Sequence, residues 1–454
     1  MESERLIRAF ERCGLDGSLV AGDGLQYERS RRVWNGLINR RPGVIVGAQS
    51  VGDVRRTVSV AAEEGCLIAV RCGGHSFPGF STCDGGVLLD LSAMNQVAID
   101  PVRCTAEVSG GALLGDLDRA AAPYELVVPA GVVSHTGAGG LTLGGGMGWL
   151  SRRMGLTIDS LIAADLCLAD GEEVRVSETE EPELFWGLRG GGGNFGVVTR
   201  FVFRLQRLGP VLVGSWAYPT AQAGSVLTRY AELVANASRQ LGSAFTVTPA
   251  AVRVTAVWSG SEEGAEAAVV PYGTLGEPSS GSLGGVTFLE LQSRSDDHFA
   301  WGRRYYAKGG FFETVSAEAI DRLTTSIAAA PTADSEIYVL QLGGAVADVA
   351  DEATAYTGRS AGFYWIVEPV WDDGADDARC ISWGRETAAQ LAALSMSGNY
   401  VNEQSDYGGD TTRSAYGEHN HARLTALKTR YDPTNLFRLN QNILPQTPHH
   451  ATST

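Results

Sequence analysis

The chain has 454 residues, 44% of them hydrophobic and 19% charged, and its 52 acidic and 36 basic side chains leave a net charge of −16. These values predict a globular protein of two or three domains with a large core. The negative charge argues against a nucleic-acid partner, because it repels a phosphate backbone. Only Lys308 and Lys428 are lysines, and neither lies in the glycine pattern of a P-loop, which excludes P-loop NTPases.

The seven cysteines are odd in number, scattered and never spaced as Cys-x-x-Cys, which argues against a disulfide framework and against a zinc site. No apolar run approaches the roughly 18 residues of a membrane span, and no signal-peptide core follows the N-terminus. We therefore expect a cytoplasmic protein without a membrane partner or a metal. The oligomeric state stays open.

Short strands, helices and glycine loops alternate from about residue 43 to residue 206. A strand at 44–46 precedes a helix that Ser50 caps and Gly65 ends. The pattern then predicts strands at 67–71, 87–91, 97–99 and 105–108, a helix at 112–122, a hairpin at 161–176, a helix at Pro182–Leu188 and a strand at 196–205.

The residue pattern changes after residue 206, where glycine motifs become rarer. Amphipathic stretches at 221–240 and 317–329 alternate with strands predicted at 245–258, 286–291, 336–342 and 363–370. This order is typical of an α+β layer, an antiparallel sheet with helices on one face. Glycines return near residue 395, a helix is predicted at 416–430, and the tail at 445–454 is predicted to be disordered.

The first loop that suggests chemistry is Arg71-Cys-Gly-Gly-His-Ser76. Two adjacent glycines at a strand end let backbone N–H groups turn towards an anion, and arginine and serine suit a pyrophosphate. His75 would then lie near the ligand; a structural or surface role is the alternative. A Gly-x-Gly-x-x-Gly match at 191–196 lies between a helix and a strand, the wrong order for a Rossmann nucleotide site.

The second loop, at 130–148, is dense in glycine but also carries valine, leucine and methionine. Glycine costs roughly 0.5–1 kcal/mol relative to alanine in a regular element, so this density indicates backbone packed along an extended ligand. A flexible linker fits poorly, because linkers are rich in serine and polar residues.

The run at 71–80 resembles the flavin-attachment loop of the vanillyl-alcohol-oxidase superfamily. The glycine loop and the runs at 152–159, 183–196, 303–308 and 431–442 are similar to the berberine-bridge-enzyme-like branch, close to its 6-hydroxynicotine-oxidase-like members. The resemblance implies an α+β, two-domain PCMH-type FAD-binding fold with an antiparallel-sheet substrate domain. The FAD domain would comprise 1–206 and a returning segment at 395–454, and the substrate domain 207–394.

The resemblance also implies the residues that hold FAD. They are Arg71, Cys72, Gly73, Gly74, His75, Ser76, Gly131, Ser134, His135, Thr136, Gly137, Gly140, Leu141, Gly144, Gly145, Gly148, Val198, Tyr400, Asn402, Asn440 and Asn442. At the position of His75 the family bonds an imidazole nitrogen to the flavin 8α carbon. Many members add a cysteine bond from a Gly-Val-Cys motif, but here Val133 takes the place of the cysteine and cannot be a thiolate. We therefore expect covalent FAD through His75 only.

The activity that the resemblance implies is hydride transfer from a C–H bond next to oxygen or nitrogen to flavin N5, after which O2 reoxidises the flavin and yields H2O2. The substrate would be a small organic molecule such as a natural product, an alkaloid or a sugar. Tyr400 and Glu368 are the catalytic candidates; a packed aromatic and a rim carboxylate are the alternatives. At the position of Thr136 members often carry valine or leucine, a residue linked to oxygen access. Threonine is close to valine in volume, which favours an oxidase. A dehydrogenase with another acceptor and a non-redox cyclase or binding protein are the alternatives.

Overall fold

A computed structural model describes residues 2–446 of the chain. The N-terminal sheet has four strands in the order Ser18–Val20, Val44–Gly47, Val87–Asp90 and Ile68–Arg71. Its last three strands are parallel, and the helix Val51–Glu64 makes the crossover. Ser50 accepts a hydrogen bond from the Asp53 N–H at the start of this helix, and Gly65 ends it in the left-handed conformation, as the sequence predicted.

The second sheet is antiparallel and has five strands, in the order Val97–Asp100, Thr105–Ser109, Val197–Arg204, Leu161–Cys167 and Glu173–Ser177. The predicted hairpin forms its last two strands. Helices Leu114–Ala121, Ala138–Gly144 and Pro182–Leu188 accompany it. The glycine cluster at 190–193 leads into its strand Val197–Arg204, and the helix Ala138–Gly144 belongs to the second glycine-rich loop.

The third sheet is antiparallel and has seven strands, in the order Ser280–Val286, Val211–Pro219, Ala251–Trp258, Leu241–Val247, Glu336–Gln341, Phe363–Glu368 and Lys308–Phe312. Helices Ala223–Val234, Ala317–Ala328 and Asp377–Ala392 share a hydrophobic core with one face of it. Side chains alternate across a strand, so every second residue points away from these helices. The predicted α+β layer is confirmed.

Two strand predictions in this sheet were wrong. The run at 245–258 is a hairpin whose strands end at Val247 and restart at Ala251. The run at 286–291 is the end of the strand Ser280–Val286 followed by the helix Phe288–Gln292. Thr287 and Glu290 form a reciprocal capping box there, and this local polar signal outweighs the apolar run.

The C-terminal helix spans Gly409–Tyr431 with a break at Gly417, and so begins earlier than predicted. It packs against the core of the second sheet, which also receives Ile443. The chain therefore returns to its N-terminal half after forming the seven-stranded sheet. Most of the tail predicted to be disordered lies outside the described residues.

The remaining elements are short. Two-residue strand pairs join 126–127 to 206–207 and 304–305 to 370–371. Further helices are Glu2–Cys13, Leu25–Ser30, Ser151–Met154, Thr157–Ser160 and Ala265–Val269. Within residues 2–446 no helix is long and apolar enough to cross a bilayer, and no cluster of three metal-ligating side chains occurs. All seven cysteines are free.

Candidate active site

A cavity of about 830 Å³ lies between the glycine loops of the first two sheets and the uncovered face of the seven-stranded sheet. One side is backbone and glycine from the loops after Arg71 and Ala130. The opposite side carries tyrosine and glutamate side chains. The C-terminal segment at 437–441 closes one end. Segments distant in the chain thus contribute to one site.

Most of the predicted site residues line this cavity. They are Cys72, Gly73, Gly74, His75, Ser76, Gly131, Thr136, Gly137, Gly140, Leu141, Gly148, Val198, Glu368, Tyr400, Asn402 and Asn440. Gly73 and Gly137 lie where the two loops cross, and a Cβ on either would meet the backbone of the other. These two glycines therefore permit the loops to approach each other, while Gly140 has open space where a Cβ would stand.

Six predicted residues do not line the cavity: Arg71, Ser134, His135, Gly144, Gly145 and Asn442. The buried Arg71 guanidinium pairs with Asp90 at 2.6 Å and donates to the Arg32 carbonyl, so it is committed to the protein. Gly144 and Gly145 pack beneath Asn402 and Tyr356. Ser134 and His135 lie directly behind the His75 loop.

The His75 imidazole stands at the cavity wall in a fixed orientation. It stacks on Trp34 with ring centroids 4.7 Å apart, and its Nε2 lies 2.7 Å from Nδ1 of His135. Surrounding protein atoms, and then His135, lower the pKa of His75 to about 3. His75 is consequently neutral and holds a free lone pair at any ordinary pH.

The C-terminal segment presents polar groups that nothing else in the described chain satisfies. Neither amide atom of the buried Gln441 side chain has a hydrogen-bond partner within residues 2–446, and the same holds for Oδ1 of Asn440 and the hydroxyl of Tyr416. All three side chains line the cavity. Buried polar atoms are nearly always paired, so this end fits a ligand with its own donors and acceptors.

Strand register brings two carboxyl groups together on the opposite wall. Glu336 and Glu368 are directly opposite each other on neighbouring strands, and both line the cavity. Burial, followed by the charges of Glu336 and Glu403, raises the pKa of Glu368 well above its ordinary value. Glu368 is 3% exposed, and its Oε1 has no partner among the described atoms. His298 lies 3.3 Å from Glu336, which raises the pKa of that imidazole.

Tyr400 lies buried beneath the glycine loop. Its hydroxyl oxygen accepts hydrogen bonds from the Gly146 N–H at 3.2 Å and from Asn402 Nδ2 at 2.9 Å. Burial and the nearby Glu403 raise the pKa of Tyr400 above its ordinary range. The phenol therefore stays protonated, and because its oxygen accepts two donors its own proton is free to point at a ligand.

Sequence reasoning missed Gln441, Glu403, Glu336 and Tyr338 as cavity residues. Gln441 and Glu403 each adjoin predicted residues in the chain. Glu336 and Tyr338 alternate with Ile337 and Val339, whose side chains join the helix-covered core. Period-two alternation was therefore the available signal. Lys308 pairs with Asp406 at 3.0 Å and does not line the cavity, so it is an ion-pair partner rather than a charge of the site.

The cavity has glycine loops on one side and acidic and aromatic side chains of a sheet on the other, as in an enzyme that binds an extended cofactor next to its substrate. Comparison with known proteins identifies the class of enzyme. Residues 42–177 match an FAD binding domain, and residues 399–444 match the berberine and berberine-like family.

Relatives extend this likeness to nearly the whole chain. An FAD-linked oxidoreductase of Dictyostelium discoideum is 34% identical, and the alignment covers 95% of each chain. (R)-6-hydroxynicotine oxidase of Paenarthrobacter nicotinovorans is 30% identical over 95% of this chain and 97% of its own. The crystal structure of 6-hydroxy-D-nicotine oxidase from Arthrobacter nicotinovorans superposes with a TM-score of 0.87 at 27% identity, covering 96% of this chain and 99% of that one.

The chain belongs to the berberine-bridge-enzyme-like FAD-linked oxidoreductases of the vanillyl-alcohol-oxidase superfamily. The expected fold and enzyme class are confirmed, and FAD is the cofactor. The open space at Gly140, Gly192 and Gly193 and the unpartnered atoms of Asn440 and Gln441 fit such a long, polar group.

Proposed function

We propose that the protein is an oxidase that removes a hydride from a C–H bond next to oxygen or nitrogen of a small organic substrate and delivers the electrons to O2. When bound, FAD accepts the hydride at N5 and returns the electrons to O2 as H2O2. The observation that carries the proposal is the buried Glu368, whose Oε1 has no partner among the described atoms, in the same cavity as Tyr400 and His75.

The cofactor is held by both halves of the FAD domain. Backbone at Gly73, Gly74 and Gly140 would cradle it, and the side chains of Asn440 and Gln441 would bind its polar groups at the far end. His75 would carry the one covalent bond, to the flavin 8α carbon. Val133 lines the cavity where the resemblance implies a cysteine in bicovalent members, and a valine side chain could not form a second bond.

The proton chemistry falls to two side chains. Glu368 accepts the proton from the substrate O–H or N–H, because a carboxyl with a raised pKa is a stronger base than an ordinary one. Tyr400 stays neutral and donates its hydroxyl proton to the reacting oxygen or nitrogen, held in direction by Gly146 and Asn402. Glu336, which pairs with His298, contributes together with burial to the raised pKa of Glu368.

Oxygen rather than another acceptor is proposed because Thr136, which is close to valine in volume, lines the cavity at a position where the resemblance implies valine or leucine in other members. The test is aerobic incubation of the purified protein with panels of alcohols, sugars and amines, read as H2O2 per substrate. We expect turnover with O2 at least as fast as with a dye acceptor. Turnover with the dye alone would identify a dehydrogenase. Bound FAD that no panel member reduces would favour the non-redox alternative.

A further inference from the structure

A chain of hydrogen bonds links His75 to residues outside the cavity lining: His135, Asp296 and Ser134. His135 lies in the second loop, 60 residues along the chain from His75. Its Nε2 is 3.4 Å from the backbone carbonyl oxygen of Asp296. The Asp296 carboxylate in turn accepts from the Ser134 N–H at 2.8 Å and from its hydroxyl at 2.5 Å. Segments from both domains thus fix the His135 ring.

The direction of these bonds follows from what each atom can do. A carbonyl oxygen only accepts, so Nε2 of His135 carries that ring's proton. Nδ1 of His135 is then bare and accepts from the neighbouring ring. The proton of His75 must lie on Nε2, 2.7 Å away, and Nδ1 of His75 is left as the free lone pair.

We propose that His135 is a positioning residue that holds His75 in the Nε2–H tautomer, so that Nδ1 forms the bond to the flavin and His135 takes the released proton. The inference rests on the covalent attachment proposed above. Stacking on Trp34 and the edge of Trp301 fixes the plane of the His75 ring, so the tautomer decides which nitrogen can react.

The reaction balances with O2 as the oxidant. A bond forms between Nδ1 of His75 and the 8α carbon, and that carbon loses one hydrogen. The His75 Nε2 proton passes to His135 Nδ1 and from there to solvent. The two electrons of the broken C–H bond enter the flavin ring, and O2 removes them. The two hydrogens, one from the methyl group and one from the imidazole, leave as H2O2.

The test measures attachment and tautomer separately from turnover. Protein made in riboflavin-depleted cells is mixed with FAD in air, and covalent FAD is followed by intact mass for wild type, His135→Ala and His135→Asn. We expect His135→Ala to bind FAD but to attach it at least about tenfold more slowly, since one well-placed proton acceptor contributes about 10²–10⁴-fold. The asparagine amide oxygen can still accept a hydrogen bond from the His75 Nε2–H but cannot take its proton, so His135→Asn should recover only part of the rate. His419→Asn, at an exposed histidine outside the cavity, is the matched control and should attach FAD at the wild-type rate.

The tautomer is read directly by long-range ¹H–¹⁵N correlation at pH 8 on ¹⁵N-histidine wild-type protein from the same riboflavin-depleted cells, before FAD is added, where the seven histidines give few signals. We expect protonated Nε2 and bare Nδ1 at His75. A proton on Nδ1, or wild-type attachment rates in His135→Ala, would overturn the inference. Wild-type protein that never acquires covalent FAD would instead overturn the attachment itself and the inference with it.

Discussion

Replacing Glu368 by glutamine is expected to lower kcat/KM by about 10²–10⁴-fold on the first substrate that the peroxide panel identifies, the range for loss of a general base. In wild type kcat/KM should rise with pH, because Glu368 must lose its proton to act and its pKa is raised. The variant should lack this rise. The exposed Glu313→Gln is the matched control and should keep the wild-type rate.

Stability distinguishes this loss from misfolding. Because the pKa of Glu368 is higher in the folded than in the unfolded chain, its contribution to stability is present at low pH and is lost as the pH rises towards the folded pKa. Glutamine does not titrate. The free energy of unfolding of Glu368→Gln, measured relative to that of wild type, should therefore increase from pH 5 to pH 9. A variant with unchanged kcat/KM and pH profile would contradict the assignment of the base.

The second large effect is expected at Lys428, whose ammonium is fully buried. It donates to Asp432 at 2.7 Å and to the carbonyl oxygens of Asn194 and Phe437 at 2.9 and 2.8 Å. Lys428→Met leaves the buried Asp432 carboxylate unpaired and should cost about 3–5 kcal/mol in urea unfolding. Because this cluster anchors the segment that carries Asn440 and Gln441, FAD affinity should fall as well.

The chain supplies a matched control in its only other lysine. Lys308 pairs with Asp406 on the surface, where both side chains are partly exposed. Lys308→Met should cost at most about 1 kcal/mol, as exposed pairs do. Equal losses of unfolding free energy in the two variants would show that burial of Lys428 does not determine how much its ion pair contributes to stability.

The sequence predicted those parts of the site that local patterns encode. The glycine pair before His75 and the dense second loop identified one wall of the cavity, and a carboxylate in the otherwise apolar run 363–370 marked Glu368 as exceptional. The edge strand Ser280–Val286 was missed because it is exposed and built of small residues, which give little hydrophobic periodicity.

Contacts between distant segments could not be predicted. Glu336 meets Glu368 only through the register of two strands, and that register depends on the whole sheet. His135 was expected to hold FAD; it contacts His75 from outside the cavity lining, where Asp296, 161 residues along the chain, contacts its loop. Arg71 reads as an anion ligand in sequence, yet the neighbouring parallel strand supplies Asp90 as its partner.

The proposed function depends on His75 as the only covalent attachment of the flavin. This attachment is tested by the intact mass and visible spectrum of acid-precipitated wild-type protein beside His75→Ala. We expect a yellow wild-type precipitate heavier by one FAD, a colourless precipitate of the variant, and FAD released to the variant's supernatant. A colourless wild-type precipitate, or a His75→Ala chain that keeps its FAD mass, would contradict it.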